Sequence, residues 1–292
     1  MTTGRRIALF LFLALGLLTA ACEPADDDDA ANDDDAADDD DSADDDDSVD
    51  EDDSADDDDS VDDDDSAWVE PLFLGIPGYL YPGADWPTFE AAAPSIGWFV
   101  ANPASGPGVA VDLNYSSGID ALRAAGIEVI GYVSTSWGAR DAAAVDADVQ
   151  AWRDLYGVHG IFFDEVAGTD TCLAQHDWYE ARADVAREVD PAALRVMNPG
   201  TDTCEEYLDF AEVLVLNEQA AADAASWVGP SWLTDHPPDR FARMAHDADA
   251  AQMEAFVDAS RGRVRYVFVT DDVLPNPWDA MPTYWNDLID RL

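Results

Sequence analysis

Two carboxylates, Asp164 and Glu165, directly follow the apolar run Gly160-Ile161-Phe162-Phe163. A second run, Val213-Leu214-Val215-Leu216, leads into Asn217-Glu218. Continuous apolar runs of this length read as parallel strands covered on both faces. A carboxylate buried at such a place without a partner is costly, so these acids need a use. Acids that converge from two strand ends suit proton transfer or nucleophilic attack. A pair flanking a glycosidic bond is what sugar hydrolysis requires.

Eight short apolar runs are strand candidates: Leu72–Ile76, Ile96–Ala101, Glu128–Val133, Gly160–Phe163, Leu194–Met197, Val213–Leu216, Arg240–Ala245 and Arg265–Val269. Between them, Ser117–Ala125, Ala142–Tyr156, Asp177–Val189 and Ala250–Ser260 carry apolar residues at spacings of three and four, as amphipathic helices do. Gly126, Gly157, Pro191 and Gly262 stand where helices stop. Strand–helix alternation predicts a parallel sheet, and eight repeats predict an α/β fold, a closed (β/α)8 barrel of the TIM type. An open doubly wound sheet is the alternative, but the glycine-rich dinucleotide fingerprint is missing. In a barrel, Asn102, Tyr132, Asp164, Glu165, Asn198, Glu218, His246 and Asp271 fall at or just after strand ends, around one mouth. Strands lie about 4.8 Å apart, so the fourth and sixth place their Cα atoms about 9–10 Å apart, and inward side chains close the gap further.

The chain divides into three zones. Residues 1–22 read as an export signal: Arg5 and Arg6, then the apolar run Ile7 to Leu18, short for a membrane span. The run ends in Leu18-Thr19-Ala20-Ala21-Cys22, which resembles a bacterial lipoprotein cleavage box with Cys22 as the lipidated residue. An ordinary signal peptide is the plainer reading. Membrane attachment through Cys22 would place the protein in the bacterial cell envelope, periplasmic or surface-exposed. Residues 23–67 are mostly Asp, with Ser at 42, 48, 54, 60 and 66. Such a segment builds no core and repels itself. Its 45 residues are expected to act as a disordered acidic spacer that reaches roughly 150 Å when extended. Calcium binding is the sharper alternative, but loop glycines that shape such sites are absent.

Residues 68–292 are one domain's worth of chain. Of 64 acidic residues, 28 lie in the spacer and 36 in this domain; 12 of the 14 basic residues oppose them, so the domain carries about −24 of the chain's −50. That balance argues against nucleic-acid binding, which needs clustered cations, and favours a neutral or cationic substrate. The sequence has no lysine, which rules out Schiff-base and P-loop lysine chemistry. Cys172 and Cys204 fall in the loops after the fourth and fifth strands. In an exported protein they would form a disulfide across neighbouring rim loops; two free thiols are the alternative. His176 nearby does not complete a familiar zinc spacing, and no metal is expected.

Several stretches together resemble the spherulation-specific family, the spherulin 4-like proteins. They are Asn102-Pro103-Ala104-Ser105-Gly106-Pro107-Gly108, Asn114-Tyr115, Gly131-Tyr132-Val133-Ser134-Thr135 with Arg140 downstream, Gly160 to Glu165, and Asn198-Pro199-Gly200. The resemblance runs from about Leu72 to Glu218 and weakens beyond. That family is similar to glycoside hydrolases of family 135, which act on galactosamine-containing polysaccharides and fold as (β/α)8 barrels. The resemblance implies an endo-acting α-1,4-N-acetylgalactosaminidase type of activity, leaning to retention. It also implies functional acids at Asp164, Glu165 and Glu218. The alanine-rich stretch after Glu218 departs from the expected pattern of substrate contacts.

On this reading Asp164 is the nucleophile and Glu218 the general acid/base, with Glu165 positioning substrate or loop. The plainer alternative is that Asp164 and Glu165 cap the next helix or pair with Arg140. Asn102, Tyr132 and Asn198 are candidates for hydrogen bonds to sugar; satisfying buried backbone is the alternative for each. Tyr79, Tyr81, Trp137 and Trp178 are candidate stacking aromatics in rim loops, and His246 is a candidate partner behind the site. Two carboxyls and water suffice, so no cofactor is called for. A carbohydrate-binding barrel without catalysis is the competing function, and a structural envelope protein a third. Oligomeric state is not legible.

Overall fold

In the computed structural model, residues 70–292 are described; the expectations for residues 1–22, including Cys22, and for the acidic spacer lie outside them. The eight apolar runs form strands β1 (Phe73–Gly78), β2 (Ile96–Ala101), β3 (Glu128–Ser134), β4 (Gly160–Asp164), β5 (Arg195–Met197), β6 (Val213–Ala220), β7 (Phe241–His246) and β8 (Tyr266–Val269). Every neighbouring pair is parallel, and β1 closes onto β8 through Phe73 opposite Tyr266. The fold is a (β/α)8 barrel.

Large and small residues alternate to fill it. Trp98 is fully buried and lies opposite Gly75, where a Cβ would fall 2.2 Å from the indole. Its ring meets Phe162 of β4 at 5.8 Å. On the outer face of the sheet, Trp152 of the helix after β3 seats over Gly131 and donates its indole N–H to the Tyr132 carbonyl at 2.9 Å. Layers of this kind make a solid core and leave chemistry to the strand ends.

The described residues hold seven α-helices: α1 (Trp86–Ala91), α2 (Leu113–Ala124), α3 (Ala142–Tyr156), α4 (Cys172–Val189), α5 (Ala221–Ala224), α6 (Ala250–Ser260) and α7 (Trp285–Arg291). The sequence reading of α3 and α6 matches both ends. Two others start earlier than periodicity suggests. Helix α2 begins at Leu113 because the Asp112 carboxylate caps it, accepting from the Asn114 and Tyr115 amides. Helix α4 begins at Cys172, where the backbone amides of Thr171 and Cys172 turn onto the Gly168 carbonyl. Trp178 therefore lies within α4, packed on Tyr179 at 4.8 Å and beneath Arg182, and not in a rim loop.

Between β5 and β7 the helical layer is thin. A 3-10 turn at Glu205–Asp209 and the four-residue α5 replace full helices. The stretch between α5 and β7 reads Val228-Gly229-Pro230-Ser231-Trp232 and later Pro237-Pro238, which interrupts any helix. Cys172 and Cys204 are disulfide-bonded, with Cα atoms 5.8 Å apart across 32 residues. The same two loops are tied by Thr169 and Thr203, whose hydroxyls donate to the Asp202 and Ala167 carbonyls at 2.9 Å each.

Candidate active site

The acids meet at the C-terminal mouth of β4, β5 and β6. Asp164 ends β4, and its two oxygens take different donors: the Tyr132 hydroxyl at 2.8 Å and the Asn198 amide at 2.8 Å. The same Asn198 nitrogen donates to Glu218 Oε2 at 2.6 Å. The Asp164 and Glu218 oxygens it bridges are therefore separated by no more than the 2.8 and 2.6 Å bonds laid end to end, 5.4 Å. Asn198 is buried, just beyond β5, and its own side-chain oxygen has no partner among the described residues.

Local backbone devices aim these groups. Strand β6 carries a bulge: Val215 pairs with Ala242 and Asn217 with Arg243, leaving Leu216 as the extra residue. A bulge redirects the side chains beyond it, and Glu218 comes next but one. The Glu218 amide donates to the Gly200 carbonyl at 2.9 Å. Gly200 has φ +65°, and a Cβ there would sit 3.4 Å from the Glu218 Cβ, so only glycine fits without strain. The Asn-Pro-Gly motif thus supplies a bridging amide and, two residues on, the close approach that seats Glu218.

Beneath Glu218, Asn217 accepts from Arg243 at 3.3 Å. That guanidinium is buried, sandwiched between Trp227 at 4.4 Å and Phe256 at 4.6 Å. It also donates to Ser260 Oγ and the Ala224 carbonyl. Burial pushes its pKa down to about 10. Sequence reasoning missed it, because an arginine within an expected strand reads as solvent-facing.

Burial dominates the electrostatics. It pushes Asp164 up to about 6 against the opposing hydrogen bonds of Tyr132, the Glu165 amide and Asn198; the Glu165 charge adds to the rise. It pushes Glu218 up to about 7, helped by the Asp164 charge and opposed by Asn198 and the Trp278 side chain. At near-neutral pH one proton is shared between two carboxyls, with Glu218 the better holder. Tyr79, just after β1, stands edge-on to Tyr132 at 5.4 Å, and its hydroxyl is held neutral by burial and the nearby acids. Its amide donates to the Trp278 carbonyl at 3.2 Å, which fastens the loop after β8 across the mouth.

Trp278 is the second residue that sequence reasoning missed. It lies in the loop that follows β8, and only barrel closure brings that loop beside β1. A tryptophan between Pro277 and Asp279 in a proline-containing loop was the available signal.

The other expected residues are placed as follows. Glu165 has φ +56°, and its carboxylate turns toward Ser134 and Ser136, accepting from the Ser134 hydroxyl at 2.5 Å and the Ser136 amide at 3.2 Å. Arg140 pairs with Asp148 and donates to the Ser134 carbonyl; it pairs with neither Asp164 nor Glu165. No side chain caps α4, so the capping alternative for these acids does not apply. Asn102 uses its side-chain oxygen on the Gly106 amide at 2.9 Å, closing its own loop. Tyr81 is exposed at the rim, with its hydroxyl between Asp112 and Asn114. Trp137 is 53% exposed at the end of β3. His246 ends β7 beside Trp278, and its Nδ1 is buried without a partner among the described residues. Burial lowers its pKa against the pull of Asp247 and Asp223. Asp271 holds the Thr283 amide and hydroxyl, and so anchors the approach to α7.

Two further features carry none of this chemistry. His176, Asp177 and Glu180 on α4 bring three ligand atoms within 4.8 Å of one another, on a largely exposed stretch. A hollow among Leu194, Phe210, Glu212, Arg240 and Tyr266 lies at the opposite, N-terminal end of the strands. There the Arg240 guanidinium is already engaged by the Glu212, Leu208 and Ala211 carbonyls.

Comparison with known proteins identifies the family and the fold. Spherulin-4 of Physarum polycephalum is 30% identical over 215 residues, which cover 69% of this chain and 64% of that protein. The chain thus matches somewhat under two thirds of that relative's length. The structure of Aspergillus clavatus Sph3, in complex with GalNAc, superposes with a TM-score of 0.63 at 23% identity, covering 76% of this chain and 97% of that one. The glycoside hydrolase domain of PelA from Pseudomonas aeruginosa is a looser match, with a TM-score of 0.43 at 13% identity over 71% of this chain and 99% of that one. The sequence model of spherulation-specific family 4 matches residues 74–292, from within β1 to the last residue. This chain belongs to spherulation-specific family 4.

Proposed function

We propose that the domain is a glycoside hydrolase that cleaves α-1,4-linked galactosamine or N-acetylgalactosamine polysaccharide from within the chain. The observation that carries this reading is the Asp164–Asn198–Glu218 bridge, two half-buried acids held within 5.4 Å by one amide. Retaining glycosidases set their carboxyls about 5–5.5 Å apart and inverting ones about 6.5–9.5 Å; an oxygen–oxygen gap that cannot exceed 5.4 Å falls short of the inverting range, which supports retention. The likeness to Sph3, whose structure holds GalNAc, supports the substrate class.

The steps follow from the two environments. An Asp164 oxygen attacks the anomeric carbon as the glycosidic C–O bond breaks, and Glu218 gives its proton to the departing oxygen. Glu218, now ionised, takes a proton from water; the hydroxide equivalent attacks the same carbon and releases the Asp164 carboxylate. Asn198 donates to both acids throughout, and Tyr132 keeps the Asp164 oxygens oriented. Tyr79 and Trp278 wall the site beside the acids.

The test is incubation of the protein with galactosamine-containing polysaccharides, acetylated and partly deacetylated, with products read by mass spectrometry. Oligosaccharides from wild type and none from Asp164→Asn are expected. Polymer binding without any product would leave a carbohydrate-binding barrel instead. We further propose that the domain is exported and tethered in the cell envelope by lipid on Cys22; the support is the sequence of residues 1–22. Palmitate labelling that survives Cys22→Ala would refute the tether.

A further inference from the structure

Glu165 and Trp137 belong to one device. The turn after β3 carries two non-glycine residues in the left-handed region, Ser136 at φ +49° and Trp137 at φ +54°, and Glu165 opposite them adopts φ +56°. Non-glycine residues are disfavoured in that region and persist there only where their surroundings enforce it. Here the enforcement comes from Glu165. Its carboxylate Oε2 faces the Ser134 hydroxyl, the Ser136 amide and, at 3.5 Å, the Ser136 hydroxyl. Its carbonyl accepts from the Trp137 amide at 2.6 Å and the Thr135 hydroxyl at 2.7 Å. One residue therefore clamps four consecutive residues of the turn. The product of the clamp is an indole left 53% exposed on the turn that adjoins Asp164. A half-exposed tryptophan held by a strained, fully hydrogen-bonded turn is preorganised for contact with a flat apolar face.

We infer that Glu165 is a positioning residue that latches the turn after β3, and that Trp137 is the stacking contact for a sugar ring of the polymer. The inference rests on the glycosidase reading for its substrate, and it assigns Glu165 a role other than bond cleavage. The carboxylate works as an acceptor here, and a glutamine oxygen accepts the same bonds. Charge is essential in a nucleophile or proton carrier but not in this latch.

The test compares Trp137→Ala, Glu165→Ala and Glu165→Gln on the full chain, with KM, kcat and equilibrium polymer binding measured for each. Trp137→Ala is expected to weaken polymer binding and raise KM about tenfold while kcat falls by less than threefold, since a lost stacking contact is worth about 1.4 kcal/mol. Glu165→Ala is expected to match it, and the double variant to be no worse than either single one. Glu165→Gln is expected to recover most of the binding and turnover that Glu165→Ala loses. A Glu165→Gln variant that binds polymer normally but turns over a thousandfold more slowly would overturn the latch and make Glu165 a catalytic residue. Polymer binding unaffected by Trp137→Ala would overturn the stacking contact. The binding measurements still decide the point if the wild type binds polymer but releases no product, so failure of the glycosidase reading is distinguishable.

Discussion

Replacing Asn198 with leucine, of similar size, removes the amide that touches both acids. Each bond it makes is to a half-buried carboxylate, and a hydrogen bond to a charged group contributes about 1.5–3 kcal/mol. At about 1.36 kcal/mol per unit, each acid's pKa should rise by about 1–2 units. The direction is fixed: Asn198 donates to the ionised forms and lowers both values, so its loss raises both. The acid limb of the kcat/KM profile follows Asp164 and the alkaline limb follows Glu218, as properties of the coupled pair. Both limbs should move to higher pH. Below pH 5, where Asp164 must ionise to react, the rate should fall about ten- to hundredfold. Above pH 8 the loss should shrink, because Glu218 keeps its proton longer. The assay is reducing-end release from the polymer between pH 4 and 9. A uniform loss at every pH, with both limbs unmoved, would refute the bridge as the origin of the proton arrangement.

Three other outcomes follow from the same geometry. Asp164→Asn and Glu218→Gln should each abolish turnover yet raise the melting temperature at pH 8 by several degrees. Both acids have folded pKa values above their unfolded ones, so the fold loses stability as pH rises through the window from about 4 to about 7, and neutral amides avoid that loss; at pH 4 the gain should vanish. Gly200→Ala should cost about 1–2 kcal/mol of stability from its left-handed backbone and lower kcat by displacing Glu218, read by melting and turnover together. Cys172→Ser with Cys204→Ser should remove about 3–4 kcal/mol in the chain-entropy view, since the bridge spans 32 residues, and should lower the melting temperature with little change in KM.

The barrel was legible because most of its strands are short apolar runs buried on both faces, although β7 is interrupted by Arg243. Asp164 and Glu218 were legible for the same reason: an acid at the end of such a run stands out. The helix starts were less so, since Asp112 and Gly168 act through local hydrogen bonds that periodicity does not register. The bulge at Leu216 leaves no compositional mark, so the direction of Glu218 could not be read in advance. Asn102, Tyr132 and Asn198 were expected to face sugar. Their hydrogen bonds go to a loop amide four residues on in the first case and to the acids in the others, pairings between neighbouring strand ends that lie 20 or more residues apart in the chain and leave no local mark in the sequence. Trp278 and Arg243 act through contacts made after the chain has returned on itself, which is why neither was found.

The claim that Asp164 attacks the sugar and Glu218 moves the proton is tested most directly by trapping the intermediate. Glu218→Gln is mixed with an N-acetylgalactosamine aryl α-glycoside whose leaving group needs no acid, and the protein is analysed by intact mass and peptide mapping. The account predicts a burst of aryl alcohol and one sugar residue attached to Asp164. An adduct on Glu165, or steady turnover with no adduct and an inverted product, would contradict it.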